Sequence, residues 1–83
     1  VLINLLVNAM HATEGKLSRR VTVTSKSADG ELKVCVEDNG VGISAEHIDR
    51  IFDSFFTTKE PGKGTGLGLS ISLNYVRAMG GRI

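Results

Sequence analysis

The order of elements along the 83 residues predicts an α/β (α+β) two-layer sandwich, with helices over one face of a sheet. Three observations carry that expectation. An apolar run opens the chain, two alternating segments meet at Asp29-Gly30, and a last helical run stops at Gly80-Gly81. The elements do not alternate as strand, helix, strand, which argues against a doubly wound nucleotide fold.

Residues 1 to 13 are apolar almost all round (Val1, Leu2, Ile3, Leu5, Leu6, Val7, Ala9, Met10), the pattern of a buried helix. Residues 21 to 25 and 31 to 37 alternate apolar and polar side chains around Asp29-Gly30. That predicts an antiparallel hairpin, with Val21 and Val23 facing inward beside Leu32, Val34 and Val36. Cys35, within the second strand, is expected to be a small buried or half-buried residue. Asp38-Asn39-Gly40 breaks the strand. Ser44 is placed to cap a short helix through about Phe52, with Ile48, Ile51 and Phe52 on its inner face and His47 exposed. Residues 57 to 66 hold glycine, proline and charge without an apolar residue, and read as a mobile loop. A last helix is expected from Leu67 to Met79.

Composition bounds the function. Eighty-three residues make at most one domain, and a net charge of +1 supplies no field favouring nucleic acid or an acidic membrane. One cysteine excludes an internal disulfide and supplies no metal cluster. No apolar stretch is long enough to span a bilayer, so the span itself is cytoplasmic in character. Val1 opens inside a helical pattern without a cap, and Ile83 falls where a helix stop would hand over to a strand. The span is therefore expected to be cut at both ends, and its independent folding is in question.

Three sets of residues carry chemistry. Asn4, Asn8 and His11 fall at i, i+4 and i+7, one polar stripe on an apolar cylinder. The asparagines either hydrogen-bond nearby backbone or wall a site whose carboxamide oxygens suit a hard cation such as Mg²⁺. Asp38-Asn39-Gly40-Val41-Gly42 follows a strand. It is either a plain Asn-Gly turn or a nucleobase site, with a carboxylate for an exocyclic amine and glycines that admit a flat ring. Gly64-Thr65-Gly66-Leu67-Gly68-Leu69-Ser70 opens a helix, where unpaired N–H groups make an anion cradle. Lys59 and Lys63 stand just before it, as solvated charges or phosphate contacts. The P-loop template fails because Gly64 follows Lys63, and the dinucleotide fingerprint fails because Leu69 stands where a small residue is needed.

Taken together, these segments resemble the ATP-binding domain of sensor histidine kinases, within the wider group that includes gyrase B, MutL and the large heat-shock chaperone. Asn4-Leu5-Leu6-Val7-Asn8-Ala9 resembles the N box (residues 4–11), and Asp38-Asn39-Gly40-Val41-Gly42-Ile43 the G1 box (38–43). Ile51 to Lys59 resembles the F box, and Gly64 to Ile71 the G2 box, so one partial domain covers residues 1–83. The resemblance implies a Bergerat-type fold, a mixed sheet covered by helices on one face. It also implies ATP and Mg²⁺ as ligands. Asn8 would ligate the metal, with Asn4 one turn earlier on the same wall as a catalytic-site residue. Gyrase-like relatives place a general-base glutamate at that earlier position, so Asn4 suits phosphoryl transfer to a side chain better than hydrolysis. His11 falls where many of these kinases carry a basic residue touching phosphate.

By the same resemblance Asp38 would receive the adenine amino group, with Gly40 and Gly42 admitting the ring. Thr58, Lys59 and Lys63 would belong to or flank an ATP lid over residues 57–64, and Gly64, Gly66, Leu67 and Gly68 would hold phosphate through backbone amides. The short lid looks most like sensors of the nitrogen-regulation and dicarboxylate-transport type. The implied partners are a helical dimerisation domain bearing the phosphoacceptor histidine, which His11 is not, and a response regulator receiver domain downstream. No nucleic acid and no membrane contact by this span are implied, although the parent chain could be anchored in the inner membrane. A conformational ATPase and a serine-directed kinase remain the alternatives.

Overall fold

The computed structural model describes residues 1–58 and 66–83. Its elements are α1 (Leu2–Ala12), β1 (Val21–Ala28), β2 (Glu31–Asp38), α2 (Ala45–Ile48) and α3 (Gly68–Ala78). The chain forms two compact units, one of Leu5–Gly42 and one of Val1–Asn4 with Ile43–Ile83.

In the unit of Leu5–Gly42, the hairpin is as its alternation predicts and extends three residues further in β1. Val21 pairs with Asp38, Val23 with Val36, Ser25 with Val34 and Ser27 with Leu32, so the apolar residues do share one face. Asp29 (φ 54°) and Gly30 (φ 77°) both have positive φ, as a two-residue turn matching the strand twist requires. The face is not inward, however. Val21 and Val36 are half-buried, but Val23 and Val34 are exposed and Leu32 is 71% exposed. Cys35, expected buried or half-buried, is exposed on the opposite face. The physical reason is the same for both: alternation decides which side chains share a face, but burial needs a further layer. Among the described residues the sheet has two antiparallel strands and no parallel pair, so the mixed sheet and its covering helices are not reproduced.

Helix α1 forms over the predicted apolar run, yet only Ala9 of it is buried. Ile3, at 75% exposure, corrects the expectation of a helix buried all round. An all-apolar cylinder needs cover on every side, and the described residues cover it in part. Its end is built by polar groups. Thr13 Oγ1 donates to the Ala9 carbonyl at 3.0 Å and to that of Met10 at 3.1 Å, and the residue is 1% exposed. Arg19 closes over it, donating from Nη2 to the Met10 carbonyl at 2.7 Å and from Nε to Thr13 Oγ1 at 3.2 Å. These bonds satisfy carbonyls that a helix end otherwise leaves open.

In the other unit, α2 is four residues long and stops at Ile48 rather than near Phe52; the chain continues to Phe56 in successive turns. Ser44 occupies the N-cap position, but its hydroxyl contacts His47 Nδ1 at 2.9 Å instead of capping the helix. Ile51 and Phe52 are half-buried as expected of an inner face, and Ile48 is exposed. His47 packs at 5.5 Å from the Phe56 ring, which also lies under the Arg50 guanidinium at 4.6 Å. Helix α3 ends as the glycine pair predicts. Gly80 has φ 78°, its N–H reaches the Arg77 carbonyl at 3.0 Å, and that of Gly81 reaches Val76 at 2.9 Å. These paired bonds are the Schellman arrangement.

Candidate functional site

Asp38 ends β2, and one of its carboxylate oxygens accepts the Gly40 N–H at 2.8 Å. The carboxylate is solvent-exposed and thus holds a defined turn while remaining accessible. Gly40 has a structural reason of its own: a Cβ there would overlap the carbonyl group of Ala12. The close approach lets Val41 N–H donate to the Ala12 carbonyl at 3.0 Å, so the turn abuts the end of α1. Gly42 differs. Its φ of 74° favours glycine, but a Cβ would meet nothing within 4 Å.

Asn39 is more than a turn residue. Its side-chain oxygen accepts the Arg20 N–H at 2.9 Å and its amide donates to the Ser18 carbonyl at 2.7 Å. Beside this clamp lies a shallow depression of about 250 Å³, lined by Arg20, Thr22, Glu37, Asp38 and Asn39. It mixes one cation with two carboxylates, which suits a polar ligand edge better than an apolar one. On α1, Asn8 is half-buried and His11 exposed in the last turn. Among the described residues no group of three or more histidine, cysteine or acidic side chains is arranged to hold a metal.

In the other unit, Asn4 donates to the Gly68 carbonyl at 3.3 Å and to Ser72 Oγ at 3.2 Å. The Asn4 amide thus ties the first turn of α1 to the start of α3. Ser72 is fully buried, so this bond satisfies a hydroxyl that would otherwise be costly. Gly66 (φ 73°) lies against the backbone of Phe55, where a Cβ would overlap the Phe55 main chain. Its carbonyl accepts the Phe55 N–H at 2.7 Å, and Phe55 itself has φ 66°, an uncommon conformation for an aromatic residue. Leu67 is the N-cap of α3 and makes no side-chain cap; Gly68 is its first residue. Thr58 is exposed. Lys59, Lys63, Gly64 and most of the lid at 57–64 lie outside the described residues.

Among the described residues, Asp38 is thus brought into contact with Gly40, and Asn4 with Gly68. Thr13, Arg19, Asn39 and Ser72 were not among the predicted residues. The Asn39-Gly40 dipeptide signalled a turn, but nothing local to it signals the long-range bonds to residues 18 and 20.

The chain belongs to the family described as histidine kinase-, DNA gyrase B-, and HSP90-like ATPase, whose profile matches residues 1–83. It is 49% identical over 88 residues to the two-component sensor PprA of Pseudomonas aeruginosa, covering 100% of this chain and 10% of that protein. It is 42% identical over 83 residues to the sensor histidine kinase ZraS of Klebsiella oxytoca, covering all of this chain and 17% of ZraS. The C4-dicarboxylate transport sensor protein DctB of Pseudomonas aeruginosa is 40% identical over 84 residues, with 14% of its length covered. The chain thus spans between a tenth and a sixth of the length of these relatives. No helix among the described residues is long and apolar enough to cross a membrane.

Proposed function

We propose that this chain is the ATP-binding, phosphoryl-donating part of a two-component sensor histidine kinase, passing the γ-phosphoryl group to a histidine on a helical dimerisation domain and thence to a response regulator. The observation that carries the reading is the Asp38 turn, an exposed carboxylate fixed at a strand end by the Gly40 N–H at 2.8 Å. A carboxylate held this way accepts from the exocyclic amine of adenine, and the polar depression beside it suits the edge of a base.

The start of α3, where Leu67 gives no side-chain cap, supports a phosphate site. Its first N–H groups have no intrahelical partner, and Gly66 and Gly68 permit close approach of a phosphate chain. The donor set also fits Mg²⁺ in the way nucleotide enzymes use it, with few side-chain oxygens and most ligands from phosphate and water. Asn8 would supply the carboxamide oxygen. When bound, the ion neutralises charge developing on the transferred group, and the chain's own part is positioning rather than covalent chemistry. Asn4 favours transfer to a side chain over hydrolysis, because a carboxamide has no basic site that could take a proton from an attacking water. Lys59 and Lys63 would add phosphate contacts, His11 a weaker one, and Thr58 would stand at the foot of the lid. Residues 1–83 would form part of one such domain, in a cytoplasmic location.

The test is Mg²⁺-dependent nucleotide affinity of the full chain. Asn8→Ala is expected to abolish most of the gain in ATP affinity on adding Mg²⁺, with affinity in chelator unchanged. Undiminished Mg²⁺ dependence would place the metal ligand elsewhere.

A further inference from the structure

We infer that Asn39 is a positioning residue for base recognition, acting through Asp38; the inference rests on the proposed reading of Asp38 as the adenine acceptor. A residue needed only to turn the chain would leave its amide in solvent or on its own neighbouring backbone. Here both ends of the carboxamide bond one distant segment, accepting from Arg20 N–H at 2.9 Å and donating to the Ser18 carbonyl at 2.7 Å, and the Asn39 N–H adds a bond to the Arg20 carbonyl at 3.2 Å. The pairing needs a donor and an acceptor on separate atoms of one short side chain, which an ionised aspartate does not supply.

That segment is anchored in turn. Arg19, between the two clamped residues, reaches the Met10 carbonyl at 2.7 Å and the buried Thr13 hydroxyl at 3.2 Å. Just past Asn39 in the chain, Gly40 and Val41 abut Ala12. Asp38 therefore leads into a turn pinned at two points to the end of α1, and Asn39 supplies the point that side-chain bonds hold. Asn39, Arg20 and Asp38 also line the same depression. The consequence concerns selectivity. Adenine presents an amine donor where guanine presents a carbonyl oxygen. A carboxylate held in place accepts from the first and repels the second, whereas one free to swing away repels less and accepts less.

The experiment measures displacement of a fluorescent ATP analogue from the full chain by ATP and by GTP, with thermal unfolding recorded alongside. The proteins are the wild type, Asp38→Asn, Asn39→Ala and Asn39→Asp. Asn39→Ala is expected to lower the preference for ATP over GTP about tenfold, the scale of one well-made hydrogen bond. Asn39→Asp keeps the acceptor for Arg20 N–H but sets a carboxylate oxygen against the Ser18 carbonyl, so a loss of preference is expected here too; it carries the test if Asn39→Ala does not stay folded. Equal weakening of ATP and GTP, or an unchanged preference, overturns the inference and leaves Asn39 a scaffold residue. Asp38→Asn separates the two claims. If it loses the preference while the Asn39 variants keep it, only the role of Asn39 fails; if it keeps the preference, the adenine assignment itself fails.

Discussion

Replacing Gly40 by alanine tests whether this glycine serves the close approach of two backbones or only the entry of a ligand. The new Cβ would overlap the Ala12 carbonyl and lie 2.8 Å from the Ala12 Cβ, so the turn and the end of α1 must separate. Separation breaks the Val41 N–H to Ala12 bond, 3.0 Å long. Overpacking of this kind and one lost backbone bond together cost about 2–4 kcal/mol. For a domain of this size that corresponds to a fall in melting temperature of roughly 10–30 °C. Gly42 is the internal control. It has positive φ but open space around it, and asparagine tolerates that conformation, so Gly42→Asn is expected to cost under about 1 kcal/mol. Thermal unfolding of the two variants in the full chain, followed by circular dichroism, makes the comparison. A loss at Gly40 equal to or smaller than that at Gly42 would refute the packing argument.

Two further substitutions probe the polar ties. Asn4→Ala removes the bonds to Gly68 and to the fully buried Ser72 hydroxyl, and is expected to lower stability by about 1–3 kcal/mol in denaturant titration; Asn4→Ala with Ser72→Ala should cost less than the sum of the two single changes. Thr13→Val keeps the shape but deletes the hydroxyl that bonds Ala9, Met10 and Arg19, with an expected cost of about 1–3 kcal/mol. Adding Arg19→Met to Thr13→Val should then cost less than Arg19→Met does alone.

The local elements were readable from residue patterns because local physics decides them. Alternation around Asp29-Gly30 specifies a hairpin and its register, since a one-residue slip would send every valine to the other face. Gly80-Gly81 specifies a helix stop because the left-handed conformation there suits glycine. Burial was not readable, because it depends on what lies over a face: Leu32, Ile3 and Cys35 are all more exposed than their patterns imply. Of the candidate site, Asp38 and Gly40 could be picked out from their short motif, but the reason for Gly40 could not, since Ala12 lies 28 positions earlier in the chain. The same holds for Asn39, whose partners lie 21 and 19 residues away. Asn4 was singled out as a polar break in an apolar helix, and its partners, Gly68 and Ser72, lie far along the chain. Phe55 at positive φ has no sequence signal, since an aromatic residue is a poor occupant of that region and is held there by its bond to Gly66.

The central claim is that Asp38 receives the base of ATP. A crystal structure of the full chain with a non-hydrolysable ATP analogue and Mg²⁺ tests it most directly. The account predicts the exocyclic amine of adenine within about 3 Å of the Asp38 carboxylate, with the Gly40 N–H still bonded to its other oxygen. An adenine ring bound away from Asp38 would contradict it.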